Sequence, residues 1–321
     1  MFSREVLRID PGQAAGQIET SIRQAVLGDL RRRGAVVGIS GGIDSSVVAA
    51  LCARAFGPER VLGILMPERD SSGDALRLGR MLAEQLGIQW VVEDIEPVLA
   101  ALGCYERQAE AARMVFPEYG EGWRCKLVLP PLLEGDRLNV AQLAVADPDG
   151  NERRARLPPA AFLQMVAATN FKQRTRMTMA YYHADRLNFA VAGTPNYVEH
   201  DQGFFVKQGD GAADFKPIAH LYKTQVFAPA AHLGVPREIQ ERLPTTDTYS
   251  LAQTQEEFYF ALPYPEMDLC LWAVDHGVPA AEAGSAIGLT EEQVERIFRD
   301  IGAKRRVSHY LHAVPTPLSQ P

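Results

Sequence analysis

Cysteine is scarce and dispersed in this 321-residue chain: Cys52, Cys104, Cys125 and Cys270 form no CxxC pair. That spacing excludes a disulfide framework and a structural zinc site, and it fits a reducing compartment. Nowhere do about 18 apolar residues follow one another, so no membrane helix is expected. Residues 1–11 lack the charged stretch and apolar run of a secretion signal, and a soluble, cytoplasmic protein is the expectation. Basic residues are not in excess either. Lys and Arg number 33 against 40 Asp and Glu, the net charge is −7 and the pI about 5.6. This balance argues against a general nucleic-acid coat and leaves room only for a local basic pocket. Apolar residues, at 46%, suffice for a sizeable core, and the length suits an α/β core with an extension.

The most informative segment follows the apolar run Ala35, Val36, Val37. It reads Gly38, Ile39, Ser40, Gly41, Gly42, Ile43, Asp44, Ser45, Ser46, and Val47, Val48, Ala49, Ala50 and Leu51 come next. A short β-branched run bounded by glycine reads as a buried strand, and the residues after Ser46 as the first turns of a helix. Adjacent glycines admit an anion close to the backbone. Ser45 and Ser46 fall where a helix N-terminus presents free N–H groups and the positive end of its dipole. The loop therefore reads as a phosphate cradle. An ordinary P-loop sets a Lys beside its Ser/Thr. Here Asp44 stands instead, and a cation must offset the repulsion between its carboxylate and phosphate, which makes Asp44 a candidate magnesium ligand. A glycine turn with a Ser/Asp cap accounts for any two of these residues, but not for the whole string after a strand.

Around this loop the pattern is βαβαβ. Ile18, Ile22, Val26 and Leu30 recur at four-residue spacing and predict a helix over 16–32. Residues 60–66 read as a second strand, 74–86 as a helix and 88–95 as a third strand. Such alternation predicts a parallel sheet covered on both faces, with ligands at the carboxyl ends of its strands. Residues 105–159 break the rhythm and read as a small β insertion, with apolar runs at 126–129 and 138–146 flanking Pro130, Pro131 and Gly135. Asp147, Pro148, Asp149 and Gly150 signal a turn, after which 152–156 return as a strand. Arg137, Arg153, Arg154 and Arg156 mark either a site for an acidic ligand or, more simply, a solvated hairpin face. Pro158 and Pro159 open a long helix to Leu187, and 189–192 form a short strand delivering Gly193 and Thr194 to a carboxyl edge. From Pro265 the chain reads as helical, with a start at Thr290 and a helix-turn-helix rhythm in which Lys304, Arg305 and Arg306 could touch phosphate. The acidic balance and the phosphate loop weigh against DNA as that partner.

The string SGGxDS after a strand resembles the signature of the N-type ATP pyrophosphatases, which include GMP, asparagine and NAD synthetases and tRNA-modifying enzymes. A second block narrows the resemblance. Gly193, Thr194, Pro195, Asn196, Tyr197, Val198 and Glu199 are followed by Gly203 through Asp214 and by Leu221, Tyr222, Lys223, Thr224, Gln225 and Val226. This is similar to the central block of NAD synthetases, GTxxxxE, GYFTKYGDGGxD and LxKxQV. The resemblance runs over 15–246, interrupted by the insertion. It implies a doubly wound parallel sheet of the adenine nucleotide alpha hydrolase type, with a β-hairpin insertion and a helical C-terminal extension. The domains would be 1–264, with the insertion at 105–159, and 265–321.

By the same resemblance Asp44 and Glu199 would hold Mg2+ on the ATP phosphates, and Thr194, Lys223 and Thr245 would contact ATP. Lys223 would replace the missing P-loop lysine, acting with Asp44 in catalysis, and Arg174, Lys207 and Asp214 would hold the substrate. The implied activity is amidation of nicotinic acid adenine dinucleotide to NAD through an acyl adenylate, releasing AMP and pyrophosphate. Glutamine-dependent members carry a separate amidase domain, for which the residues before the loop leave no room, so ammonia is the expected donor. A homodimer is expected from the family. Three departures stand out: the insertion, Tyr197 and Val198 where small or polar residues are usual, and no evident C-terminal His-Lys pair. They keep open a ligase for another carboxylate and a catalytically silent nucleotide-binding regulator.

Overall fold

Asp10 and Pro11 start the first helix. In the computed structural model, which describes residues 2–129, 132–133, 141–243, 245, 248–260 and 262–318, Asp10 Oδ1 accepts from Gln13 N at 2.7 Å and Pro11 takes the first helical position. Helix α1 (Pro11–Arg23) therefore begins ahead of the expected residue 16. It passes into a π-helical turn, Gln24–Asp29, rather than continuing regularly to 32. The elements that follow are β1 (Ala35–Gly38), α2 (Ile43–Phe56), β2 (Val61–Leu65), α3 (Gly73–Leu86) and β3 (Gln89–Val92). Next come α4 (Glu96–Ala101), α5 (Cys104–Arg113), β4 (Arg124–Val128), β5 (Gln142–Ala146), β6 (Glu152–Arg156), α6 (Pro159–Leu187) and β7 (Ala190–Ala192). The chain ends with α7 (Tyr197–Gln202), α8 (Lys223–His232), α9 (Arg237–Glu241), α10 (Tyr264–Asp275), α11 (Ala280–Ile287) and α12 (Glu291–His312).

The main sheet is parallel, in the order β3-β2-β1-β7, with Ala35 opposite both Val61 and Ala190. Alternate residues of β1 face opposite layers. Ala35 and Val37 join Ile22, Val48, Leu51, Leu82 and Val226 in one apolar cluster. Val36 joins Leu62, Ile64, Val191 and the α6 residues Ala180 and Ala184 in another. Burial on both faces explains why these strands read as continuous apolar runs. The strand order reverses at β1, whose neighbours are β2 on one side and β7 on the other. A crevice opens at the carboxyl ends there.

The inserted region departs from the β reading in its first part. Residues 104–113 form α5, an alanine-containing helix without β-branched residues that lies against α6. Cys104 Sγ donates to Ala168 O at 3.3 Å and Gln108 Nε2 to Thr169 Oγ1 at 2.9 Å. The remainder is an antiparallel sheet, β4-β5-β6. Its turn is closed by Asp147, whose Oδ1 accepts from Asp149 N and Asn151 N. Arg153 pairs with Glu118 at 2.6 Å and its guanidinium lies 5.2 Å from the rings of Phe116 and Trp123, as on a solvated hairpin face. The expectations for Pro130, Pro131, Gly135, Arg137 and residues 138–140 lie outside the described residues.

In the C-terminal helices Met267, Ile297 and Ile301 share an apolar cluster with Val198 and Tyr222. Thr290 forms a capping box with Gln293. In the basic run of α12, Lys304 and Arg305 are taken up by internal partners, while Arg306 is exposed. Lys304 Nζ donates to Tyr259 O at 2.8 Å and pairs with Asp300, and Arg305 bridges Asp201 and Asp275 at 2.8 and 2.6 Å. Among the described residues no helix is long and apolar enough to cross a membrane, and all four cysteines are buried and free.

Candidate active site

The loop leaving β1 turns back over α3 before α2 begins at Ile43. Gly41 makes that possible. Its φ is +73°, and a Cβ there would stand 2.8 Å from Ala75 O and 3.1 Å from Leu78 Cβ. The serines fix the loop internally. Ser40 N donates to Ser45 Oγ at 3.2 Å, Ser45 Oγ to Gly42 O at 3.1 Å and Ser46 Oγ to Gly42 O at 2.8 Å. The start of α2, with Gly42 as a cap that lends no side-chain acceptor, keeps its leading N–H groups available for an anion.

Beside this N-terminus lies a buried charge cluster. Asn196 organises it: its Oδ1 accepts from Glu199 N and its own N donates to Glu199 Oε2, both at 3.1 Å, while its Nδ2 donates to Asp44 Oδ1 at 3.1 Å. Lys223 Nζ, at the head of α8, bonds Asp44 Oδ2. Asp268 anchors the start of that helix, accepting from Lys223 N, Thr224 N and Thr224 Oγ1 at 3.3, 2.7 and 2.6 Å. Burial, then the nearby Asp44, pushes the Glu199 carboxyl up to about 8 against the pull of Lys223. For Lys223, burial opposes the charge, but Asp44 and Glu199 outweigh it and hold the ammonium above its ordinary range. Burial likewise pushes Asp268 up to about 6 although its hydrogen bonds favour the anion.

Asp44, at the cavity wall, is paired with the one ammonium, and Glu199 behind it keeps its proton to high pH; a further cation at this spot would let both ionise. The donor set fits magnesium, which takes hard oxygens from one or two carboxylates and completes its shell with phosphate and water. Among the described residues no group of three or more His, Cys, Asp or Glu is arranged to hold a metal ion by itself.

The cluster opens onto a cavity of about 990 Å³ between the sheet edge, α6 and the inserted sheet. Of the residues singled out from sequence, Gly38, Ile39, Ser40, Gly42, Ile43, Asp44 and Ser45 line it, as do Thr194, Glu199, Arg174, Lys207 and Thr245. Gly41 and Ser46 shape the loop from outside the lining, and Lys223 sits behind Asp44. Arg174 Nε donates to Lys207 O at 3.3 Å. Lys207 Nζ donates to Tyr310 O and Ala313 O, both at 2.8 Å, and so closes the end of α12. Asp214 is exposed and does not line the cavity. Its Oδ2 accepts from Val191 N at 2.7 Å and its Oδ1 from Tyr181 Oη at 3.0 Å, bracing β7.

Sequence reasoning gave no role to Asn196, Asp268 or Arg242. The first carried a usable signal, an Asn three residues before Glu at a helix start. Arg242, whose guanidinium reaches Ser72 Oγ at 2.9 Å and Thr245 Oγ1 at 3.3 Å, has no local pattern that announces it. The same holds for Asp268.

The sequence profile of the NAD synthase family matches residues 15–117 and 144–307. The chain is 61% identical over 310 residues to the NH(3)-dependent NAD(+) synthetase of Mesorhizobium japonicum, covering 97% of each chain. It is 56% identical over 315 residues to that of Rhizobium meliloti, covering 98% of this chain and 94% of the relative. Among solved structures it resembles the NMN synthetase from Francisella tularensis, with TM-score 0.67 and 22% identity over 98% of this chain and 100% of that one. It also resembles the NH3-dependent NAD synthetase from Campylobacter jejuni, with TM-score 0.63 and 21% identity over 97% and 100%. At those identities the structural likeness is one of fold. The two matched stretches contain the phosphate loop, Glu199 and Lys223, and the curated relatives align along almost their whole length; the chain belongs to the NAD synthase family.

Proposed function

We propose that this chain forms NAD from nicotinic acid adenine dinucleotide, ATP and ammonia. The observation that carries the reading is the buried Asp44–Glu199–Lys223 cluster beside a lysine-free phosphate loop. The choice of dinucleotide and of ammonia is supported by the name of a relative 61% identical over 97% of the chain. A carboxylate cannot expel oxide, so ammonia does not displace it directly. The substrate carboxylate oxygen first attacks the ATP α-phosphorus and pyrophosphate leaves, giving an acyl adenylate. Ammonia then attacks the acyl carbon and loses a proton, and AMP departs with the electron pair of the broken C–O bond.

The chain's contribution is to position and to stabilise charge. The N–H groups at the head of α2 receive the phosphates. Asp44 and Glu199 would hold magnesium, which when bound neutralises phosphate charge. Lys223 stands ready for the departing pyrophosphate, and Thr194 and Thr245 contact ATP. Arg174 and Lys207 would hold the dinucleotide within the cavity, and Asp214 would serve that site indirectly, by bracing β7. We take residues 265–321 as a helical extension of the catalytic unit, place the protein in the cytoplasm, and expect a homodimer.

Purified protein with ATP, magnesium, ammonium and the dinucleotide should yield NAD and AMP in equal amounts. AMP formed only with another acid, such as nicotinic acid mononucleotide, would move the substrate assignment. No AMP with any carboxylate would leave a nucleotide-binding regulator.

A further inference from the structure

The loop after β2 and helix α6 are joined by a buried ion cluster that the proposed chemistry does not use. Lys172, on α6, has a side chain 1% exposed, and its ammonium donates to Glu68 Oε1 at 3.1 Å, Asp70 Oδ2 at 2.5 Å and Thr248 O at 2.8 Å. All three of its N–H bonds are thereby spent. Glu68, fully buried, accepts a second bond from Tyr105 Oη at 2.9 Å. Its backbone closes a tight turn with Ser71: Glu68 N donates to Ser71 Oγ at 3.1 Å and Ser71 N to Glu68 O at 3.0 Å.

Lys172 itself does not line the cavity, but each segment it holds does. Ser71 belongs to the turn after β2, Thr248 and Tyr249 to the segment following Thr245, and Asn170 and Gln173 flank the lysine on α6. Burying one ammonium and two carboxylates contributes little net stability, because desolvation offsets most of the attraction, and neutral replacements of similar volume often leave stability unchanged. What such a cluster does provide is a single geometry for the segments that meet in it.

We infer that Lys172 is a positioning residue: it locks onto α6 both Thr248 and the turn carrying Ser71 and Ser72, which Arg242 ties to Thr245, so that the ATP wall and the acyl-substrate wall of the cavity move as one body. This rests on the proposed assignment of those walls. Lys172→Met alone strands two buried carboxylates and can unfold the chain. The deciding variant is therefore Lys172→Met/Glu68→Gln/Asp70→Asn, which removes both signs of charge at nearly constant volume. It should melt close to wild type, bind a nonhydrolysable ATP analogue at least about tenfold more weakly and show a similar rise in KM for the dinucleotide, with kcat lowered less. Wild-type affinity for the analogue in the folded triple variant overturns the inference.

A second measurement needs no variant. In the wild type the analogue should tighten dinucleotide binding, and the dinucleotide should tighten analogue binding by the same factor. Independent affinities overturn the inference too. Wild-type turnover of the dinucleotide is the control, since its absence counts against the substrate assignment while the analogue arm still reads the coupling within the ATP wall.

Discussion

Replacing Lys223 with Met tests whether the buried ammonium is what holds Asp44 and Glu199 together. The side chain is 1% exposed, bonds Asp44, and lies 5.2 Å from the Tyr264 ring centroid. Methionine keeps nearly the same volume, so the cavity contribution is small. What is lost is the cation between Asp44 and Glu199. Removing one partner of a buried pair typically destabilises by about 3–5 kcal/mol. At roughly 2–4 °C per kcal/mol for larger domains, the melting temperature should fall on the order of 10 °C. Urea denaturation without divalent ions would measure the loss. The double variant Lys223→Met/Asp44→Asn supplies the other arm of a cycle: with one carboxylate neutralised as well, part of the stability should return. Magnesium should stabilise Lys223→Met more than wild type, because both carboxylates are then free to take a cation. A loss below about 1 kcal/mol in Lys223→Met, within the range of an exposed ion pair, would refute the reasoning.

Three further outcomes follow from the same geometry. Asp44→Asn should reduce ATP-dependent pyrophosphate release in the folded variant by at least about a hundredfold, at some cost in stability because Lys223 loses its bonded carboxylate, and unchanged turnover in a pyrophosphate assay would remove Asp44 from the chemistry. Gly41→Ala should destabilise by more than about 1 kcal/mol, because its φ of +73° is left-handed and the added Cβ would stand 2.8 Å from Ala75 O; an unaltered melting curve would count against that. Asp268 gives a pH dependence. Its folded carboxyl, at about 6, lies above the unfolded value of about 3.9, so the native state binds more protons between these values. The Asp268 contribution to stability should then fall as pH rises through that window, by up to about 1.4 kcal/mol per unit, and level off above it. Asp268→Asn should flatten this segment of the curve, and an identical slope in the variant would exclude Asp268 as its source.

The parts of the fold legible in sequence were those whose signals are local. The phosphate loop needs only a strand, glycines and a helix start in succession, and α6 was readable from Pro158 and Pro159 to Leu187 because a proline opening and a long uninterrupted stretch suffice. Local signals also misled. The helix at 104–113 was absorbed into a β insertion because it is short and turn signals follow it, and α1 was started late because its apolar stripe begins after the Asp10–Pro11 cap that sets it. Lys304 and Arg305 looked free for phosphate, since nothing in their own segment reveals Asp300, Asp201 and Asp275 as internal partners.

Sequence by itself determined the α/β rhythm, the anion loop and, through matching motifs, the residue types a lysine-free ATP site requires. These depend on neighbours within a few positions, where backbone geometry is set. Tertiary structure decided how the chemistry is assembled. Asp44 meets Lys223 across 179 residues and Asn196 across 152 because β7 returns beside β1 and α8 packs on α2. It also separated residues expected to share a role: Arg174 and Lys207 line the cavity, whereas Asp214 does not and braces β7. Charges buried together acquire their properties from burial and from one another, and neither exists until the chain has closed on itself.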